Sequence, residues 1–129
     1  MNSRYRHIKV AAIAIVIMVL SLGDPGETGR TVFRFFNNAD KLVHAAMYFV
    51  FTFVLIYEYR REAVRNFVLM LLASLSFLYS VLMEILQMSV TTNRKFEGYD
   101  ILANLAGVIL GLLFFIMLRR LMPGRFRGQ

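Results

Sequence analysis

Residues 67–88 read FVLMLLASLSFLYSVLMEILQM. This run of 22 residues contains one side chain that is charged in water at neutral pH, Glu84. As an α-helix it would be about 33 Å long at 1.5 Å per residue, enough to cross a hydrocarbon layer roughly 30 Å thick. Residues 42–59 and 101–118 have the same character, and a shorter apolar run covers residues 8–22. The two prolines, Pro25 and Pro123, lie outside these runs, so no helix is interrupted from within. The chain therefore reads as an all-α, polytopic membrane protein. It forms a single domain over residues 1–129, a bundle of four transmembrane helices at 8–22, 42–59, 67–88 and 101–118.

Composition supports this reading. Of 129 residues, 58% are apolar and 18% charged, with a mean hydropathy of +0.59. Soluble domains hold about 45–50% apolar residues, and a chain this short has too little interior to bury the excess. The absence of cysteine excludes disulfides, thiolate metal sites and cysteine nucleophiles. The first apolar run also has the layout of a secretory leader, with Arg4, Arg6, His7 and Lys9 ahead of it and Ser21 and Gly23 behind. An uncleaved anchor suits a compact polytopic chain better, and cleavage would leave the remaining orientation unchanged.

Basic residues set that orientation. Ten lie at one end of the helices: Arg4, Arg6, Lys9, Arg60, Arg61, Arg65, Arg119, Arg120, Arg125 and Arg127. Five lie at the other: Arg30, Arg34, Lys41, Arg94 and Lys95. Positive residues favour the cytoplasm, so both termini are expected inside and loops 23–41 and 89–100 outside a cytoplasmic membrane. Anionic lipid headgroups account for the net charge of +7 without a nucleic-acid partner.

The informative residues are those a lipid-embedded helix should avoid. Asp40, Lys41 and His44 open the second helix, and spacing of four puts Asp40, His44 and Tyr48 on one face. Glu84 and Gln87 share a face near the end of the third helix, Asp100 and Asn104 open the fourth, and Arg94 stands in the loop between. Each has a plainer reading. Asp40 and Asp100 suit helix caps, and Lys41 and Arg94 suit interfacial charges. Tyr48 suits packing, a lone histidine is commonly structural, and Asn104 and Gln87 suit interhelical bonding. Glu84 resists such treatment. It lies about one turn inside the membrane among Val81, Leu82, Met83, Ile85 and Leu86. There an ionisable group must face the bundle and find partners. Three helices bringing polar groups to one depth on one side favour a site over a scaffold.

Two further patterns bear on assembly. Ala103, Gly107 and Gly111 repeat at four-residue spacing, which lets helices approach closely within the chain or across a homo-oligomer. Arg30, Phe33, Arg34, Phe35 and Phe36 combine rings and cations in the manner of a rim in the headgroup layer.

The set Asp40-Lys41, His44, Tyr48, Glu84, Gln87, Arg94, Asp100, Asn104 and Gly107 resembles the VanZ-like membrane protein family. The resemblance spans residues 40–111, and the first helix fits the family's four-helix plan. Ala45, where an aromatic is common, and Ser80, where a small glycine often stands, depart from the pattern. The resemblance implies an association with resistance to glycopeptide antibiotics, teicoplanin above all, through the cell envelope, and carries no agreed reaction.

The residues themselves suggest an outward-facing site for the polar head of an envelope lipid or lipid-linked precursor. Glu84 and His44 are the acid–base candidates, since burial and pairing tune such groups toward neutrality. Lys41 and Arg94 would engage anionic groups, while Asp40, Gln87, Asp100 and Asn104 would bind or position the ligand. With one histidine among Asp40, Glu84 and Asp100, no resident metal and no cofactor are expected. A non-catalytic binding or assembly module is the alternative. A transmembrane relay is disfavoured, because Glu58 is the one ionisable residue near the inner half.

Overall fold

The computed structural model describes residues 3–23, 39–90 and 98–126. Four long helices account for nearly all of them: α1 (Ser3–Leu22), α2 (Ala39–Glu58), α3 (Asn66–Val90) and α4 (Gly98–Leu121). A 3-10 turn, Glu62–Val64, joins α2 to α3, and a four-residue helix, α5 (Pro123–Phe126), follows α4. All four long helices are long and apolar enough to cross a membrane. They extend beyond most of the limits of the apolar runs, α1 by five residues at its start and α4 by three at each end. An apolar run marks only the hydrocarbon depth, whereas backbone bonding continues the helix into the headgroup layer.

The distribution of side chains is the reverse of a soluble globule. Leu71, Leu75, Leu78, Leu82 and Ile85 on α3 are exposed, as are Ile15, Val16, Val19 and Leu20 on α1. The buried set includes Ser21, His44, Thr52, Glu58, Ser76, Ser80, Glu84, Gln87 and Asn104. Apolar outside and polar inside is stable only where the surroundings are themselves apolar. The protein is a multi-pass membrane protein.

Three helices form the centre and α1 lies against α2 and α3. The closest pair is α2 with α4, which run parallel, and glycine is the reason. A Cβ on Gly107 would overlap the Ala45 carbonyl oxygen, and one on Gly111 would lie 2.7 Å from the Phe49 oxygen. The small-residue stripe is thus filled within the subunit, by the backbone of α2, and a homodimer through it would require α2 and α4 to part.

At the arginine-rich end the core is apolar: Leu55, Ile56, Ala63, Leu69, Leu72 and Phe115 pack together. Ion pairs close over them. Arg6 meets Glu62 at 2.9 Å and Lys9 meets Glu58 at 3.0 Å, fastening α1 to α2 and the turn beyond it. His7 Nδ1 bonds the Tyr59 hydroxyl at 2.6 Å, and Arg119 donates to the Ala63 carbonyl. Farther along α1, the Tyr79 hydroxyl donates to the Ala14 carbonyl at 2.6 Å.

Candidate functional site

The polar residues singled out in the sequence lie at the opposite end of the bundle, where α2 and α4 begin and α3 finishes. Asp40 and Asp100 stand in the first turns of their helices, where a carboxylate meets the positive end of the helix dipole. Lys41 lies 3.4 Å from Asp40 and 4.0 Å from Asp100, so the cation bridges α2 and α4 at the mouth of the bundle.

One turn deeper, His44 Nδ1 lies 3.1 Å from Asn104 Oδ1, both side chains buried. An amide oxygen only accepts, so in the neutral ring Nδ1 carries the proton and Nε2 the lone pair. The close approach at Gly107 makes this bond possible, because Asn104 and Gly107 face α2 one turn apart.

Glu84 is 4% exposed, on the buried face of α3 that also carries Ser76 and Ser80. Thr52 Oγ1 and Ser76 Oγ, 2.6 Å apart, fix the antiparallel register of the α2–α3 interface. Stepping one turn per helix from this bond puts Tyr48 level with Ser80 and His44 level with Glu84. The result is a column of buried polar groups. It runs about 12 Å from His44 to Thr52 and ends on the apolar cluster around Ile56 and Phe115.

Gln87, one turn above Glu84, donates from Nε2 to the Ser21 carbonyl at 2.5 Å. It ties α3 to α1 at this end. Arg94 lies outside the described residues, as does the 30–36 segment with its rings and cations. Among the described residues no three carboxylate, imidazole or thiol groups are placed to hold a metal ion.

Sequence reasoning missed the lower half of the column. Thr52, Ser76 and Ser80 are fully buried, and Ser80 Oγ donates to the Phe77 carbonyl one turn back. A signal was present: His44, Tyr48 and Thr52 repeat every four residues on α2, as do Ser76, Ser80 and Glu84 on α3. Hydroxyl residues alone do not disturb an apolar run, so the repeat is visible only when read outward from the ionisable residues. Ser21 was read only as a flank of a possible cleavage point. Its position against Gln87 makes α1 a neighbour of the polar cluster.

Fold and site together define a small multi-pass membrane protein with a polar column entering the bundle from one end. Residues 8–119 match the family model described as VanZ/LLP1, from within α1 to the last turns of α4, and the chain belongs to that family. No curated protein and no solved structure matches it.

Proposed function

We propose that the column between α2, α3 and α4 is a binding site for the polar head of an envelope lipid or lipid-linked precursor. Its mouth faces the extracytoplasmic side by the distribution of basic residues. The observation that carries this is the burial of an ionisable residue, Glu84, at the level of a bonded His44–Asn104 pair, in a column that ends below on an apolar cluster. Structural polar contacts in membranes are usually short-range pairs, as at Thr52–Ser76. An ionisable group costs more to bury and marks a site. Lys41 at the mouth attracts and orients the ligand, and Glu84 and His44 Nε2 are the groups able to exchange a proton with it. The family's association with glycopeptide resistance fits an envelope ligand of this kind.

A non-catalytic binding or assembly role is the second reading, favoured by the bonding of Gln87 to α1, which is structural in form. Comparing envelope lipids from cells with and without the protein by mass spectrometry separates the two, since only an enzyme changes the lipid. Glu84→Gln keeps the shape and hydrogen-bonding capacity of the side chain and removes its charge. It is expected to abolish envelope phenotype or ligand binding at normal membrane abundance. Full function in that variant would remove Glu84 from the mechanism.

A further inference from the structure

Charge at the arginine-rich end does not balance. Among the described side chains there, Arg6 pairs with Glu62 and Lys9 with Glu58. Arg60, Arg61, Arg65, Arg119 and Arg120 have no carboxylate partner among the described residues. The C-termini of α2 and α4 both lie at this end, and each supplies about half a negative charge. Most of the positive charge is left for something outside the chain.

Two of these arginines are held in place. Arg60 is half-buried, its guanidinium 4.6 Å from the centre of the Tyr57 ring and its Nη1 donating to the Tyr57 carbonyl at 3.0 Å. Arg119, also half-buried, donates from Nη1 to the Ala63 carbonyl at 3.3 Å. Gly107 against Ala45 and Gly111 against Phe49 keep α2 and α4 in one parallel register, which carries Arg119 to the level of Tyr57. Arg61, Arg65 and Arg120 are exposed, and their side chains make no hydrogen bond among the described residues. An arginine at a membrane surface ordinarily swings in the headgroup layer. Arg60 does not, and it presents a flat fork with Nη1 alone engaged among the described residues.

A line of rings starts beneath it. Tyr57 stacks on Phe53 with centroids 5.9 Å apart, and Phe114 of α4 lies 5.4 Å from Phe53 and 5.6 Å from Phe49. The stripe follows the α2–α4 seam for about 12 Å, and Phe114 is 37% exposed. Rings alone would be packing. A fixed guanidinium without a carboxylate at their headgroup end suits an anion that carries a hydrocarbon tail.

We propose that the arginine-rich end seats one anionic phospholipid, with its phosphate on Arg60 and an acyl chain along Phe53, Phe114 and Phe49. Guanidinium N–H groups match phosphate oxygens in pairs, and basic sites beside membrane helices hold anionic head groups in this way. Arg119 adds charge from α4, so the lipid fastens the ends of α2 and α4 to each other. The seat lies at the opposite end of the bundle from the polar column and does not depend on the reading of that column. Diffuse attraction to anionic headgroups is different, because every arginine at this end would share in it.

The test is native mass spectrometry of the full-length protein in detergent, titrated with phosphatidylglycerol or with phosphatidylcholine of the same chains. One phosphatidylglycerol should be retained about fivefold or more over phosphatidylcholine, the effect of one arginine near the surface. Arg60→Gln should bring the two lipids to near parity. Arg60→Lys keeps the charge but not the flat fork, and should lose most of the preference. Arg61→Gln and Arg65→Gln remove the same charge from exposed positions and should leave the preference nearly intact. Phe114→Ala should weaken retention, and glycerol 3-phosphate, which has no tail, should not displace the lipid. Equal losses from the three glutamine variants would overturn the seat in favour of diffuse charge. Displacement by glycerol 3-phosphate, or retention untouched by Phe114→Ala, would overturn the lipid in favour of a bare phosphate site. Dimers separated by Phe114→Ala, with no lipid preference, would assign the stripe to a second copy and overturn it as well. Retention from a total envelope lipid extract that Glu84→Gln abolishes reads the column, and it should persist in Arg60→Gln. Its loss there would merge the two sites and overturn a separate seat.

Discussion

The two ends of the bundle handle charge in opposite ways. At the arginine-rich end each buried or half-buried carboxylate has a cation assigned to it, Glu58 with Lys9 and Glu62 with Arg6, and an apolar cluster lies directly beneath. At the other end Lys41 sits at the mouth between Asp40 and Asp100, and Glu84 lies inside the bundle, level with the bonded His44–Asn104 pair. Ion pairs between helix ends fasten one helix to another. A column of buried polar groups entered from one end also joins helices, and the ionisable residue it buries suits it to recognition. Stability and recognition are thus divided between the ends, and the α2–α4 glycine contact joins them.

That contact should give the largest effect. Gly107→Val drives a side chain into the Ala45 carbonyl, and backbone cannot step aside as a flexible side chain does. We expect a loss of about 3 kcal/mol or more, the upper range for overpacking, together with loss of the His44–Asn104 bond. Denaturant titration in detergent reads the first, and lipid retention the second. Gly98→Ala is the control, since nothing lies within 4 Å of its added Cβ. Equal stability of the two variants would mean that α2 and α4 are not held by this contact.

The arginine-rich end is tested by Lys9→Met. Glu58 is 5% exposed and would lose its cation, whereas the Lys9 side chain is 53% exposed, which dilutes the pair. Removing one partner of a fully buried pair costs about 3–5 kcal/mol, so here we expect about 1–2 kcal/mol after solvent screening. Adding Glu58→Leu should recover most of it, because a matched apolar replacement leaves no charge to bury. Lipid retention should stay unchanged in both. A variant that keeps its stability and loses lipid binding would erase the division between the ends.

Much of this was legible in the sequence. Four helices follow from four apolar runs, and the gathering of His44, Glu84 and Asn104 at one depth follows from helix direction alone. Less legible was which helices touch. The glycine stripe reads equally well as a contact within the chain or between chains, and only the α2 backbone against Gly107 and Gly111 decides it. Gln87 is a polar residue one turn from Glu84, and nothing in its spacing reveals that its amide is engaged by the Ser21 carbonyl. Thr52 and Ser76 stayed hidden because hydroxyl residues fit an apolar helix at little cost and signal only in pairs.

That pair supplies the next test, and it sharpens the boundary between the two ends. Thr52→Val, Ser76→Ala and the double variant form a cycle across the α2–α3 interface, where the oxygens are 2.6 Å apart. Interhelical hydrogen bonds in membranes average about 0.6 kcal/mol, and the coupling should be of that order. A coupling near zero would remove the bond that fixes the register and, with it, the placement of His44 level with Glu84.

The smallest effect expected is the pH response of the arginine-rich end. Partial burial tends to raise the Glu62 carboxyl, but the hydrogen bond and charge of Arg6, the turn backbone and nearby Arg61 outweigh it and hold the group below its usual range. A carboxyl depressed in the folded state stabilises the protein above its unfolded pKa, about 4.3 for Glu. That contribution is lost as pH falls through the lower folded value. Glu62 is 45% exposed, so the contribution is that of a surface pair, about 0.5 kcal/mol. Stability measured from pH 7 down to pH 3 should fall slightly more for the natural protein than for Glu62→Gln, with the two converging at the acid end. The difference should shrink in high salt, which screens exposed charges. If Glu62→Gln instead changed lipid retention at neutral pH, the arginine-rich end would take part in recognition and the two ends would not be separable.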